Sequence, residues 1–193
     1  MIGNDIVDLH YASIESNWQR KGFINKIFTS KEQELIWNAE SPFKMVWLLW
    51  SMKESAYKIY VQQHLKRFFA PKKSVCSLTT NTTGFVVINE QQYQTKSIIN
   101  DHYIYTEAVL NTSQKEVINT CFYLDDVSAQ NQRNTAYKQL KTTVSKMKQL
   151  SVHSLSIKKT VAGIPQLYQK NKLLSIPFSI THHGNYGALS ILN

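Results

Sequence analysis

The chain has 193 residues, 42% hydrophobic and 18% charged, with six Gly and four Pro, which suits one domain or two small packed halves and excludes disordered, collagen-like and low-complexity classes. Cys76 and Cys121 are far apart and have no Cys/His ligand spacing, so a disulfide scaffold and a structural zinc site are excluded and a reducing compartment fits. Lys and Arg outnumber Asp and Glu by 22 to 13, for a net charge of +9, and the surplus points to an anionic partner. It is concentrated late in the chain: residues 1–110 hold 12 basic and 10 acidic side chains, residues 111–193 hold 10 and 3, and no Asp or Glu follows position 126. Only Arg20, Arg67 and Arg133 are arginines, a bias toward phosphate held by point charges rather than base readout. The longest apolar run is MVWLLW at 45–50, and Asp5 and Asp8 interrupt the N-terminus where a signal peptide needs a basic and then an apolar stretch; a soluble cytoplasmic protein is expected.

In chain order, 1–9 alternates apolar and polar residues and predicts a strand, with Asp5 and Val7 on one face and Ile6 and Asp8 on the other. Asp5 and Asp8 then cannot share a site unless the strand ends or bends. Thr29 to Glu32 forms a capping-box start for a short helix through Asn38, and Ser41 followed by Pro42 opens a long helix over 43–69, closed by Pro71. Four β-rich runs follow at 74–80, 84–89, 94–99 and 102–110 as an antiparallel meander. The 111–132 stretch is mixed, with a strand at 116–124 and a polar connector that marks the boundary between halves 1–125 and 126–193. An amphipathic basic helix is expected over 135–150, and strands over 154–159, 166–169, 178–182 and 186–192. The fold class is α+β in two halves.

Glu54 and Lys58 are i,i+4 on the long helix, with Trp50 one turn earlier on the same stripe. Such a pair is commonly a surface ion pair, but Trp47, Trp50, Tyr57 and Tyr60 crowd this helix and argue for partial burial. Asp5 reads equally well as a capping acid or as a ligand; one carboxylate from a strand and one from a helix is how Mg²⁺ is held beside a phosphate substrate. In the pair His182 and His183, adjacent strand residues face opposite ways, so one suits a phosphate or core contact and the other the surface. Nucleotide-loop, serine-hydrolase and zinc-protease motifs are absent from the sequence.

Three segments taken together, GNDI at 3–6, WSMKESAYK at 50–58 and SITH at 179–182, resemble the G-x-D, W/F-x-x-K-E-x-x-x-K and S-x-S/T-H motifs of the 4′-phosphopantetheinyl transferase superfamily. RKGFINKIFTSKE at 20–32 is similar to the segment after the first motif, and Gly163, Ile164 and Pro165 to a G-K-P element. The resemblance implies transfer of the phosphopantetheine arm of coenzyme A to a serine of an apo carrier protein, with Mg²⁺ and release of adenosine 3′,5′-bisphosphate. Motif order is that of the short, trimeric acyl-carrier-protein synthases; length is that of the two-half surfactin-type enzymes. The chain is therefore expected to be a monomer of two pseudo-symmetric halves, circularly permuted relative to the latter.

By resemblance, Asp5 and Glu54 are metal ligands, with Asp8 a candidate third because Val7 stands where the longer relatives have an acid. Glu54 and Lys58 are catalytic. Arg20, Lys53, Lys58, Lys158, Lys159, Thr181 and His182 bind coenzyme A, with Lys158 or Lys159 replacing the lysine that Ile164 displaces. The carrier proteins of the family are small, acidic and helical, and Lys21 and Lys26 are candidates to face them. No nucleic-acid or membrane partner is expected. The alternative is a non-catalytic protein that binds nucleic acid or coenzyme A, supported by the charge and by 22 aromatic residues.

Overall fold

The computed structural model describes residues 1–110 and 116–193; the start of the mixed segment, 111–115, lies outside the described residues. Strand β1 (Ile2–Asp8) runs into α1 (Leu9–Glu15), followed by α2 (Phe23–Ile27), α3 (Ser30–Asn38) and the long α4 (Pro42–His64). The capping box forms as the sequence predicts: Thr29 accepts from the Glu32 backbone N–H, and Glu32 accepts from that of Thr29. Ser41 caps α4 by accepting from the Lys44 N–H, with Pro42 in the first turn. Helix α4 ends five residues earlier than expected. Leu65 turns into the left-handed region at φ 54°, and Phe68 folds back to pack edge-on against Tyr57 and Tyr60 while its N–H donates to the Tyr57 hydroxyl at 2.8 Å.

After a short 3₁₀ turn (Pro71–Lys73), strands β2 (Ser74–Leu78), β3 (Thr83–Ile88), β4 (Gln91–Ile99) and β5 (Tyr103–Val109) form the expected meander. Strand β1 returns to pair antiparallel with β5, giving a five-stranded sheet in the order β1-β5-β4-β3-β2. One face of this sheet is covered by α4, whose Val46, Leu49, Met52, Ala56 and Ile59 enter the main core with Val86, Ile88, Tyr93 and Ile104.

Strand β6 (Val117–Tyr123), which the division at 125/126 puts in the first half, is hydrogen-bonded to β11 (Tyr186–Leu192) in a second sheet of order β10-β11-β6, with β10 at Phe178–His183. Helix α5 (Ala129–Lys148) begins six residues before the expected position, because Ser128 caps it by accepting from the Asn131 N–H and is itself held by Asp126. Its Leu140 and Val144 join Leu155, Leu167, Leu189 and Ile191 in a second core. A small sheet of β7 (Leu155–Lys159), β8 (Pro165–Gln169) and β9 (Lys172–Leu173) completes this half. The fold is thus α+β, with one long helix packed on the main sheet of each half.

The halves meet along β1 and β10. The Asn4 N–H donates to Ser179 Oγ at 3.0 Å, and behind this contact Ile6, Tyr105 and Ala188 form a third buried cluster. The Tyr105 hydroxyl ties the sheets together through Asn119 (2.7 Å) and Ser190 (2.6 Å). Gly3 permits the approach that sets the whole arrangement: a Cβ there would collide with the Ser55 carbonyl, so only glycine lets β1 lie directly on α4. Among the described residues, no helix is long and apolar enough to cross a membrane.

Candidate active site

Close contact between β1 and α4 brings Asp5 to Lys58, fifty-three residues away in sequence. Lys58 reaches across to β1, where its ammonium donates to Asp5 Oδ1 at 3.3 Å and to the Asn4 carbonyl. Thr181 of β10 donates to the same Asp5 oxygen at 3.2 Å. Glu54, one turn before Lys58, is partly buried beside them. Burial first, and then the Asp5 charge, push its pKa from 4.5 up to about 7 against the opposing pull of Lys58. Two carboxylates and one ammonium therefore sit together, with the negative charge under-compensated.

These groups stand at one side of a cavity of about 840 Å³ between the halves, lined by Glu54, Lys58, Thr181 and His182 among others. The remaining charged residues of its wall are Lys159, Arg67 and Arg133, so Glu54 is its one carboxylate among the described residues. Its size falls in the range of small-molecule and cofactor sites, about 300–1,000 Å³. Apolar wall is supplied by Tyr57, Tyr137, Ile164, Pro165 and Phe178, so the space suits a ligand with both phosphate and apolar portions.

The histidine pair divides as strand alternation requires. His182 faces the cavity, and its pKa is held below 6.5 by partial burial and then by the charges of Lys58, His183 and Lys159. His183 instead accepts at Nδ1 from the Asp8 N–H at 3.0 Å. Alternation likewise separates the two lysines of β7: Lys159 lines the cavity, whereas Lys158 lies over the Tyr168 ring, 5.0 Å from its centroid.

Several other residues from the sequence reading are placed elsewhere. Lys53 is not at the cavity but is 2% exposed on the opposite side of α4. Its ammonium donates to both Glu32 oxygens at 2.7 and 2.9 Å and to the Pro71 and Ser74 carbonyls. Glu32 in turn accepts from the Cys76 N–H at 2.7 Å, so every strong partner of Lys53 is structural. Asp8 does not join Asp5 either. The strand ends there and Asp8 caps α1, accepting from the N–H groups of Tyr11 (3.1 Å) and Asn185 (2.9 Å). Arg20 is exposed, over the Phe23 ring at 5.3 Å, and is not among the cavity residues. Val7 is buried in the main core.

Conversely, Arg67 and Arg133 line the cavity without having been singled out as site residues. The available signal was scarcity, since they are two of only three arginines in the chain. Gly163 makes room for Arg67: it sits at φ +78°, and a Cβ there would come 2.8 Å from the guanidinium.

As to Mg²⁺, no group of three His, Cys, Asp or Glu side chains that could hold a metal occurs among the described residues. The pair Asp5 and Glu54 nevertheless fits a hard cation that keeps water and phosphate oxygens as its other ligands.

The family model of the 4′-phosphopantetheinyl transferase superfamily matches residues 1–119. Among solved structures, the holo-[acyl-carrier-protein] synthase of Thermotoga maritima is similar at 11% identity and a TM-score of 0.44, with 85% of this chain and 80% of that chain covered. No curated protein sequence matches. The match over 1–119 takes in the strand that carries Asp5 and the helix that carries Glu54 and Lys58, and it spans more than half of the sequence: the chain belongs to the 4′-phosphopantetheinyl transferase superfamily.

Proposed function

We propose that the protein transfers the 4′-phosphopantetheine group of coenzyme A to a serine of an apo acyl or peptidyl carrier protein, in a Mg²⁺-dependent reaction carried out by a monomer in the cytoplasm. The observation that supports this best is the cavity itself. Glu54, Lys58, Thr181 and His182, with Asp5 bonded behind them, converge from three elements on a space whose other charged groups are all cationic.

In this reading the serine oxygen attacks the phosphorus that bears the pantetheine arm. An O–P bond forms to the carrier, the bond to the bridging diphosphate oxygen breaks, and adenosine 3′,5′-bisphosphate leaves with that oxygen. Glu54 takes the serine proton, directly or through one water. Lys58 neutralises charge on the leaving phosphate, and Lys159, Arg67, Arg133 and His182 hold the nucleotide phosphates. Asp5 and Glu54 would hold Mg²⁺, which supplies neutralisation of the diphosphate. Thr181 and Lys58 orient the Asp5 carboxylate by their hydrogen bonds.

The experiment is incubation with coenzyme A, Mg²⁺ and apo carrier proteins, followed by intact-mass measurement. One phosphopantetheine per carrier and an equal amount of adenosine 3′,5′-bisphosphate are expected. An unmodified carrier in the presence of bound coenzyme A overturns the reading. Light scattering tests the monomer, and a trimer would refute it.

A further inference from the structure

We propose that the exposed 65–73 segment, with Lys26 beside it, is the docking surface for the acidic carrier protein, and that Phe69 and Leu65 are its apolar anchors. The proposal rests on the transferase reading and names where the second substrate sits.

Phe69 is 72% exposed and Leu65 65% exposed, in a segment that is otherwise held firmly. Leu65 is the left-handed cap of α4, and Phe68 between them is locked by its N–H bond to Tyr57 and by edge-on packing on two tyrosines. The two exposed side chains are thus presented by an anchored backbone, which lowers the ordering cost of binding.

Cations surround them. The Lys26 ammonium stands 5.7 Å from the Phe69 ring centroid, α2 packs against the Pro71–Lys73 turn, and Lys21, Lys66, Lys72 and Lys73 are all exposed. No Asp or Glu occurs at 16–31 or at 55–89. The adjoining Glu32 is fully buried and consumed by Lys53. These two stretches are therefore basic and carry Phe69 and Leu65 as exposed apolar side chains. They complement an acidic partner that presents apolar side chains between its carboxylates.

Position selects the carrier over other anionic partners. The same segment sends Arg67 into the cavity wall, and Tyr57, which anchors the segment, also lines that wall. A partner on Phe69 and Leu65 is adjacent to the cavity that holds the donor, as the acceptor serine requires. Adjacency has no comparable rationale for a polynucleotide or a lipid surface.

The test uses the whole protein, coenzyme A, and a purified apo acyl carrier protein with an apo peptidyl carrier protein as second probe. Phe69→Asp should raise the KM for carrier about tenfold, as loss of one interface anchor does, while kcat and the dissociation constant for coenzyme A stay within about twofold. Leu65→Ser should act in the same direction, Phe69→Leu should restore most of the loss, and circular dichroism melting confirms that each variant is folded. Charge reversal at Lys26 and Lys72 should lower the on-rate, more at low salt than at high.

Wild-type KM for carrier in Phe69→Asp overturns the docking surface alone. Carrier binding is also read by interferometry without coenzyme A. A wild type that binds carrier through Phe69 yet does not transfer overturns the transferase reading and supports the surface; neither binding nor transfer overturns both. Phe69-dependent binding to anionic phosphatidylserine vesicles or to single-stranded RNA, with carrier KM unaltered, assigns the patch to that partner and overturns the proposal.

Discussion

Replacing Glu54 by glutamine in the metal-free protein isolates the electrostatic cost of the site. The Glu54 carboxyl titrates near 4.5 when exposed and at about 7 in the fold, chiefly because it is buried and secondarily because Asp5 is beside it. The folded state therefore binds this proton more tightly than the unfolded state does. Stability is fully retained below pH 4.5, declines as the pH rises from 4.5 toward 7, and is flat above. The difference corresponds to about 3 kcal/mol lost from the wild type at high pH. Glutamine keeps the shape and carries no charge, so Glu54→Gln should be more stable than wild type by up to about 3 kcal/mol at pH 8, or roughly 6–12 °C in Tm for a chain of this size. Near pH 4 the two should melt together. Thermal unfolding in a chelating buffer across this range reads the effect, and Mg²⁺ added at pH 8 should raise the Tm of wild type more than that of the variant. A stability difference independent of pH, or a variant less stable at pH 8, would refute the burial of an under-compensated carboxylate.

Lys53→Met should cost about 3–5 kcal/mol, because it strands the fully buried Glu32 without its cation, yet leave the affinity for coenzyme A unaltered in the folded fraction; an unmoved urea midpoint would contradict the buried pair. Gly3→Ala should push β1 off α4 through the Ser55 carbonyl, lowering stability by about 1–3 kcal/mol and transfer with it. Wild-type stability and rate in that variant would show that β1 is not pinned there. His182, held below its ordinary pKa by partial burial and neighbouring cations, should take up a proton as phosphate arrives, so coenzyme A binding near pH 6.5 should be accompanied by proton uptake. Titration calorimetry in two buffers of different protonation enthalpy measures this, and His182→Ala should reduce it, the remainder falling to Glu54; equal uptake in both proteins would separate His182 from the phosphates.

The elements legible in the residues themselves are those with local signals. Thr29 with Glu32, and Ser41 with Pro42, mark two helix starts by contacts within one turn. Two-residue alternation marks β1, the meander and β10, and the spacing of Glu54 and Lys58 puts both on one face of α4. Two helix ends differ from the expectation: α4 stops at His64, where the cause is not local, because Phe68 has tyrosines to pack on, and α5 begins early through a local cap, Ser128, that the surrounding polar run masks.

The site depended most on packing. Asp5 and Asp8 are chemically equal in the sequence, but Asp5 lies within β1 and Asp8 is its last residue, so one meets Lys58 and Thr181 while the other caps α1. Lys53 and Lys58 stand on the same helix in the same motif. Five residues of α-helix rotate them about 140° apart, and only the neighbours that fold against each face, Glu32 on one and Asp5 on the other, decide which is structural and which reaches the cavity. Arg67 and Arg133 are sixty-six positions apart, on a loop and on α5, and no spacing rule relates them. They share a cavity because burial of two apolar cores, one under each sheet, closes the halves along β1 and β10 and leaves the cationic faces around the space between.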